Sequence, residues 1–155
     1  MSASRAIGLS AISGLRCFSG PAFVGRAASH GHLHLDGTPL GFLNSPRLSK
    51  ALMLMVLGEL AGDKLPMTPS RTGLPPLLDR AVSGGLVGAA LFASEGRRIP
   101  VGAILGATSA VTAAFAGERL RAAVVERTGL PDPVVAVAED AAVLAIGSHS
   151  LRRAR

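Results

Sequence analysis

The chain has 155 residues, of which 48% are hydrophobic and only 17% are charged, against the roughly 25% of charged residues that soluble domains usually contain. Its net charge of +6 comes from 16 basic residues that are spread between apolar segments, which argues against a nucleic-acid-binding surface. The single cysteine excludes an intrachain disulfide and a multi-cysteine metal centre.

The composition favours an integral membrane protein over the alternative, a soluble helical domain rich in alanine and glycine. Mean hydropathy is +0.43, and the chain holds 19 glycines but no tryptophan or tyrosine. Small residues dominate the apolar stretches, as they do in transmembrane helices whose backbones pack closely. The lipid bilayer is therefore the first expected partner of this chain.

Five apolar segments are predicted to be helices, because Ala, Leu, Val and Met dominate them without a period-two alternation. They cover approximately residues 6–28, 46–62, 81–94, 99–121 and 133–150, and a polar loop covers residues 29–45. Only the first and fourth approach the 20 or so residues that cross a bilayer. The sequence thus predicts one all-α domain over residues 1–155, a multi-spanning transmembrane bundle of about four to five helices, some of them short or re-entrant.

Four spacings of small residues predict close helix packing. They are Ser10-x-x-x-Gly14, Gly58-x-x-x-Gly62, Gly84-Gly85-x-x-Gly88 and Gly102-x-x-x-Gly106. Small residues at this spacing let two helix backbones approach each other and are common in membrane bundles. Residues 7–18 also loosely match residues 104–115, which is compatible with the inverted repeats of many transporters.

The acidic residues inside apolar stretches are the candidate functional groups, because a carboxylate in a low-dielectric setting must be paired, hydrated or liganded. Glu59 and Asp63 are four residues apart and share a helix face, with Lys64 next to them. They are predicted either to bind a cation or relay protons, or only to complete a capped helix end beside Lys64.

A second acidic pair, Glu139-Asp140, lies in the last segment. Adjacent helical residues point about 100° apart, so the two carboxylates do not both face one narrow cavity. Arg16 lies in the middle of the first segment, where an unpaired guanidinium is costly. We expect Arg16 to contact an acid from another helix: Glu139, Asp140 or Glu59.

The polar loop contains His30, His32 and His34, which alternate and are followed by Asp36. These are ligand types that zinc or copper accepts, but an extended loop gives them no fixed scaffold. A solvated loop without a metal is the expected state, and the sequence predicts no cofactor.

Three motifs resemble, in the same order, a family of small bacterial integral membrane proteins catalogued only as a domain of unknown function. They are Ser13-Gly14-Leu15-Arg16, the element Gly58-Glu59…Asp63-Lys64-x-Pro66, and Glu139-Asp140. The resemblance extends over about residues 7–150. It implies a multi-spanning helical protein of the bacterial inner (cytoplasmic) membrane and supplies no substrate, cofactor or catalytic residue.

Two functions follow from these observations. The first is a small transporter or channel for an ion, a proton or a small cationic solute, with Glu59, Asp63, Glu139 or Asp140 in the path. The second is a non-transporting structural or assembly protein whose acids only pair with Arg16, Lys64 and Arg80. In both, the chain is expected to self-associate.

Nucleophile, phosphate-loop and dinucleotide motifs do not occur in the sequence, so we do not expect an enzyme.

Overall fold

The computed structural model describes residues 3–62, 73–131, 134–138, 140, 141, 143 and 145. Its helices are α1 (Ala3–Leu15), α2 (Ser19–Ser29), α3 (Pro46–Gly62), α4 (Leu74–Ala93) and α5 (Ile99–Thr128), with a short 3-10 helix at Gly41–Asn44. Residues 134–138 and positions 140, 141, 143 and 145 are also helical. No strand occurs in this described part of the chain, and the prediction of an all-α fold is confirmed.

The segment predicted as one helix over residues 6–28 forms two helices, because the chain breaks at residues 16–18. The third predicted helix starts earlier than expected, at Leu74 instead of residue 81. Pro75 and Pro76 lie in its first turn. Proline is tolerated there because the first N–H groups of a helix have no intrahelical acceptor.

The fourth predicted helix is longer than expected and ends at Thr128 instead of residue 121. Glu118 therefore lies within α5. α5 also runs without a break through residues 104–115. The segments that the sequence pairs as a repeat thus differ in local structure, since the first of them contains the break.

Glycines bring α4 and α5 into backbone contact. The two helices are antiparallel, because Gly84 faces Gly106 while Gly88 faces Gly102. A Cβ built on Gly84 would lie 2.6 Å from the carbonyl oxygen of Gly106, and one built on Gly88 would overlap the carbonyl oxygen of Gly102. The close packing predicted from these two glycine motifs is confirmed.

The other two small-residue motifs have different outcomes. Gly14 packs against the backbone of Ala110 in α5, as expected for a close helix contact. A Cβ built on Gly58, by contrast, would meet no atom of the described residues within 4 Å. Gly58 therefore contacts no other helix in the part of the chain that the structure describes.

The core is built from side chains of α1, α2, α4 and the loop between α2 and α3. The loop was predicted as a polar segment, yet its Leu33, Leu35 and Leu43 are all buried. They anchor the loop against α2, while His30, His32 and His34 are exposed. α3 lies antiparallel to α2, since Ser49 near its start faces Gly25 near the end of α2, while Glu59 near its end contacts Cys17 and Phe18 just ahead of α2.

Two helices are long and apolar enough to span a membrane. They are α4, with a mean hydropathy of 1.2 over its most apolar window, and α5, with 1.7. Large apolar side chains are also exposed on both helices, among them Leu78 and Val82 on α4 and Ile104 on α5. By length and composition, the described part of the chain therefore supports at least an association with a membrane.

Candidate functional site at the break between α1 and α2

The break between α1 and α2 leaves backbone groups that an unbroken helix would pair. Pro21 has no N–H, so the carbonyl of Cys17 has no helical donor four residues later. The N–H groups of Cys17 and Phe18 would point at the carbonyls of Ser13 and Gly14 in a continuous helix. Buried backbone groups of this kind must find other partners.

Glu59 of α3 accepts hydrogen bonds from both of these N–H groups. The N–H of Cys17 donates to Oε1 at 2.7 Å, and the N–H of Phe18 donates to Oε2 at 3.0 Å. The carboxylate thus satisfies two donors just ahead of α2 and places a negative charge at the positive end of that helix. It also joins α3 to the break.

Arg80 of α4 satisfies the other side of the break. Its Nε donates to the carbonyl oxygen of Gly14 at 3.0 Å, and its Nη1 donates to the carbonyl oxygen of Pro76, also at 3.0 Å. The Gly14 carbonyl is the group that the N–H of Phe18 would bond in a continuous helix. Arg80, which is only 6% exposed, therefore takes the place of the missing helical donor.

Arg16 forms an ion pair with Asp140 from the C-terminal helical segment. Its Nε donates to Oδ1 of Asp140 at 2.7 Å, and its Nη2 contacts the same oxygen. The two side chains are 2% and 12% exposed, respectively. Asp140 is one of the three acids expected to pair with Arg16, and the contact joins residues 124 positions apart.

Smaller polar groups lie next to these charges. Sγ of Cys17 is 3.2 Å from Oγ of Ser83 on α4, and both residues are buried. The hydroxyls of Ser10 and Ser13, on the buried side of α1, have no hydrogen-bond partner within the described part of the chain. The break is therefore a polar centre, formed by Arg16, Cys17, Glu59, Arg80, Ser83 and Asp140, inside an otherwise apolar helical body.

The structure brings together only part of the acidic set predicted from the sequence. Asp140 contacts the first residue of the break, and Glu59 contacts the next two. The other predicted residues, Asp63, Lys64 and Glu139, lie outside the described residues. The sequence predicts Arg80 only as a charge partner of the acids in the assembly alternative, and it predicts no site role for Cys17 or Ser83. A charged residue within the apolar α4 was the available signal for Arg80, and Pro21 was the available signal for the break.

The histidine loop does not present three converging ligands. The rings of His30 and His32 are stacked with their centroids 6.5 Å apart, and Nδ1 of His30 lies 2.8 Å from the carbonyl oxygen of Arg26. Within the residues that the structure describes, no group of three or more His, Cys, Asp or Glu side chains could hold a metal ion.

Comparison with known proteins gives one result. No curated protein and no solved structure matches the chain. A family model described as "Domain of unknown function (DUF4126)" matches residues 4–151, which include every element of the polar centre. The chain therefore belongs to this family, DUF4126.

Proposed function

We propose that this chain is a multi-pass protein of the bacterial inner membrane that moves a proton, an ion or a small cationic solute through the polar centre. The observation that carries this proposal is the helix break, where Glu59 accepts hydrogen bonds from the two N–H groups that lack a helical acceptor. Discontinuous helices with charged groups at the break form the substrate and ion sites of many secondary transporters.

Exposure supports a lipid-facing α5. A core helix of a soluble protein is mostly buried, yet only 22% of the most apolar window of α5 is buried. On α4, Leu74, Leu78 and Val82 follow each other at four-residue spacing and are 73%, 58% and 71% exposed. A continuous apolar stripe of this kind marks contact with a membrane or another protein.

The break would lie near the middle of the bilayer. Gly14 contacts Ala110, which lies about 16 Å along α5 from Ile99 at 1.5 Å per residue. That is roughly half of the 30 Å hydrocarbon core of a bilayer. Intramembrane charges at this depth are the usual components of ion and proton paths.

Within the described residues, Arg16 and Arg80 together with Glu59 and Asp140 form the charged part of the polar centre. A proton or small cation that binds one of these carboxylates would weaken the bonds from its present donors. For Glu59 these donors are backbone N–H groups, so binding would loosen the junction of α1, α2 and α3. This couples ion binding to a change at a helix break, as a transport cycle requires.

We expect Glu59→Gln to abolish flux. The amide carries no charge and has only one acceptor oxygen for two N–H donors. The measurement is uptake of protons, monovalent cations and small amines into vesicles reconstituted with purified protein, and the rate should fall at least about tenfold, the effect of losing roughly 1.4 kcal/mol. Glu126→Gln, at an exposed position of α5, is the matched control and should keep the wild-type rate.

Membrane embedding has its own test. Because α5 exposes apolar side chains along much of its length and α4 exposes them in its first half, the protein should stay in the pellet when membranes are extracted with alkaline carbonate. A soluble helical domain would appear intact in the supernatant, and that result would contradict the proposal before any flux is measured.

The second candidate is a non-transporting assembly protein. The observation in its favour is that Glu59 and Asp140 both have donors within the protein, so neither requires a solute. In that case wild-type vesicles should show no flux for any of the tested ions, and Glu59→Gln should lower only the unfolding temperature. Self-association through the exposed faces of α4 and α5 is compatible with either role.

A further inference from the structure

A groove of about 500 Å³ lies where α2 ends and α3 begins. This is the opposite end of these two helices from the polar centre. Its polar part is formed by Arg26, Ser29, Ser49 and Lys50, and its apolar part by Met53 and Leu54. α3 continues from the groove towards the polar centre, which it reaches with Glu59. One end of the groove is therefore basic, and its other end opens onto an apolar face of α3.

The polar end of the groove is positively charged. Arg26 and Lys50 both have exposed side chains, and no acid is among the lining residues. The carbonyl of Arg26, at the negative end of α2, accepts bonds from the backbone N–H of His30 and from the hydroxyl of Ser29. The N-terminal end of α3, which carries the positive end of the helix dipole, also faces the groove and has no acid in its first turn. A phosphate group would find two cations there.

The apolar end continues along an exposed strip of α3. Leu54 is 68% exposed, and Leu57, one turn further, is 58% exposed. An inorganic anion would leave this strip uncovered, whereas an acyl chain attached to the anion would lie along it. The combination therefore selects an amphiphile over a free anion.

We propose that the groove is a binding site for an acidic phospholipid, with its phosphate between Arg26 and Lys50 and one acyl chain along Met53, Leu54 and Leu57. The inference rests on the membrane embedding proposed above, which places the α2–α3 end at the bilayer surface. Basic side chains at that surface attract anionic lipids.

The test is a lipid titration of the full-length protein in an uncharged detergent. The chain has no tryptophan or tyrosine, so unfolding is followed by helical circular dichroism. Dioctanoyl phosphatidylglycerol should raise the unfolding temperature, since a ligand that binds the folded state stabilises it. In R26Q/K50Q the concentration giving half the effect should rise about 25-fold, on the order of fivefold for each cation.

Four comparisons can overturn the inference. R98Q/R127Q removes two exposed cations outside the groove and should stay within about twofold of wild type; an equal loss there would mean non-specific attraction. An equal shift with inorganic phosphate would mean a phosphate site, and an equal shift with dioctanoyl phosphatidylcholine would mean that the cations do not select the lipid. Leu54→Gln, which keeps both cations, should also weaken binding of phosphatidylglycerol.

The outcome is separable from that of the proposed transport. The titration measures binding in detergent and needs no flux, so lipid binding without flux would contradict only transport. Flux in wild-type vesicles together with an unchanged lipid response in R26Q/K50Q would contradict only the lipid site.

Discussion

Arg16→Met should destabilise the protein by about 3–5 kcal/mol, because it leaves the carboxylate of Asp140 buried without its cation. Asp140 is only 12% exposed when it is paired, and it lies beside buried side chains such as Val143. The measurement is thermal unfolding in detergent, followed by circular dichroism. We expect a large fall in unfolding temperature or a failure to accumulate folded protein.

The double variant Arg16→Met/Asp140→Leu separates the loss of the pair from the loss of the fold. With both charges replaced by apolar groups of similar size, most of the stability should return, since apolar replacements of buried ion pairs are often neutral or stabilising. Arg97→Met is the control at an exposed pair. Arg97 lies 3.6 Å from Glu95 and over the ring of Phe92, and its loss should cost roughly 1 kcal/mol. Equal effects of Arg16→Met and Arg97→Met would contradict a buried, structural pair.

Gly88→Ala should push α4 away from α5 and cost about 3 kcal/mol, at the upper end of the usual penalty for overpacking. The added Cβ would overlap the carbonyl oxygen of Gly102 and lie 3.0 Å from Cα of Gly106. These are backbone atoms, so relief requires the two helices to separate. Gly88→Leu should prevent the folded protein from accumulating in the membrane.

Gly58→Ala is the matched control for this substitution. Gly58 also lies inside a helix, but a Cβ there meets no atom of the described residues within 4 Å. Alanine should therefore stabilise the protein by roughly 0.5–1 kcal/mol through its higher helix propensity. The two changes should move the unfolding temperature in opposite directions, and a stabilising Gly88→Ala would contradict the observed helix crossing.

Much of the fold could be predicted from the sequence because its signals are local. The predominance of Ala, Leu and Val without period-two alternation predicts helices, and α3 spans the residues expected for the second segment. The spacing of Gly84, Gly88, Gly102 and Gly106 predicts close contact between helices, because a glycine has only a hydrogen atom as its side chain and lets a neighbouring backbone approach. The prediction that Arg16 pairs with an acid likewise follows from the apolar residues around it in the sequence.

Only the tertiary structure decided which groups meet. Asp140 pairs with Arg16 across 124 positions of sequence, and that choice depends on how helices distant in the chain are placed, which no local pattern contains. Pro21 is a local signal for the break before α2, but the partners of the broken helix have no such signal. Glu59 accepts the hydrogen bonds of its N–H groups and Arg80 donates to the Gly14 carbonyl because of where α3 and α4 pack. The sequence by itself determined that charges had to be satisfied within an apolar helical body, and the packing of α3 and α4 decided that they would be satisfied at a helix break.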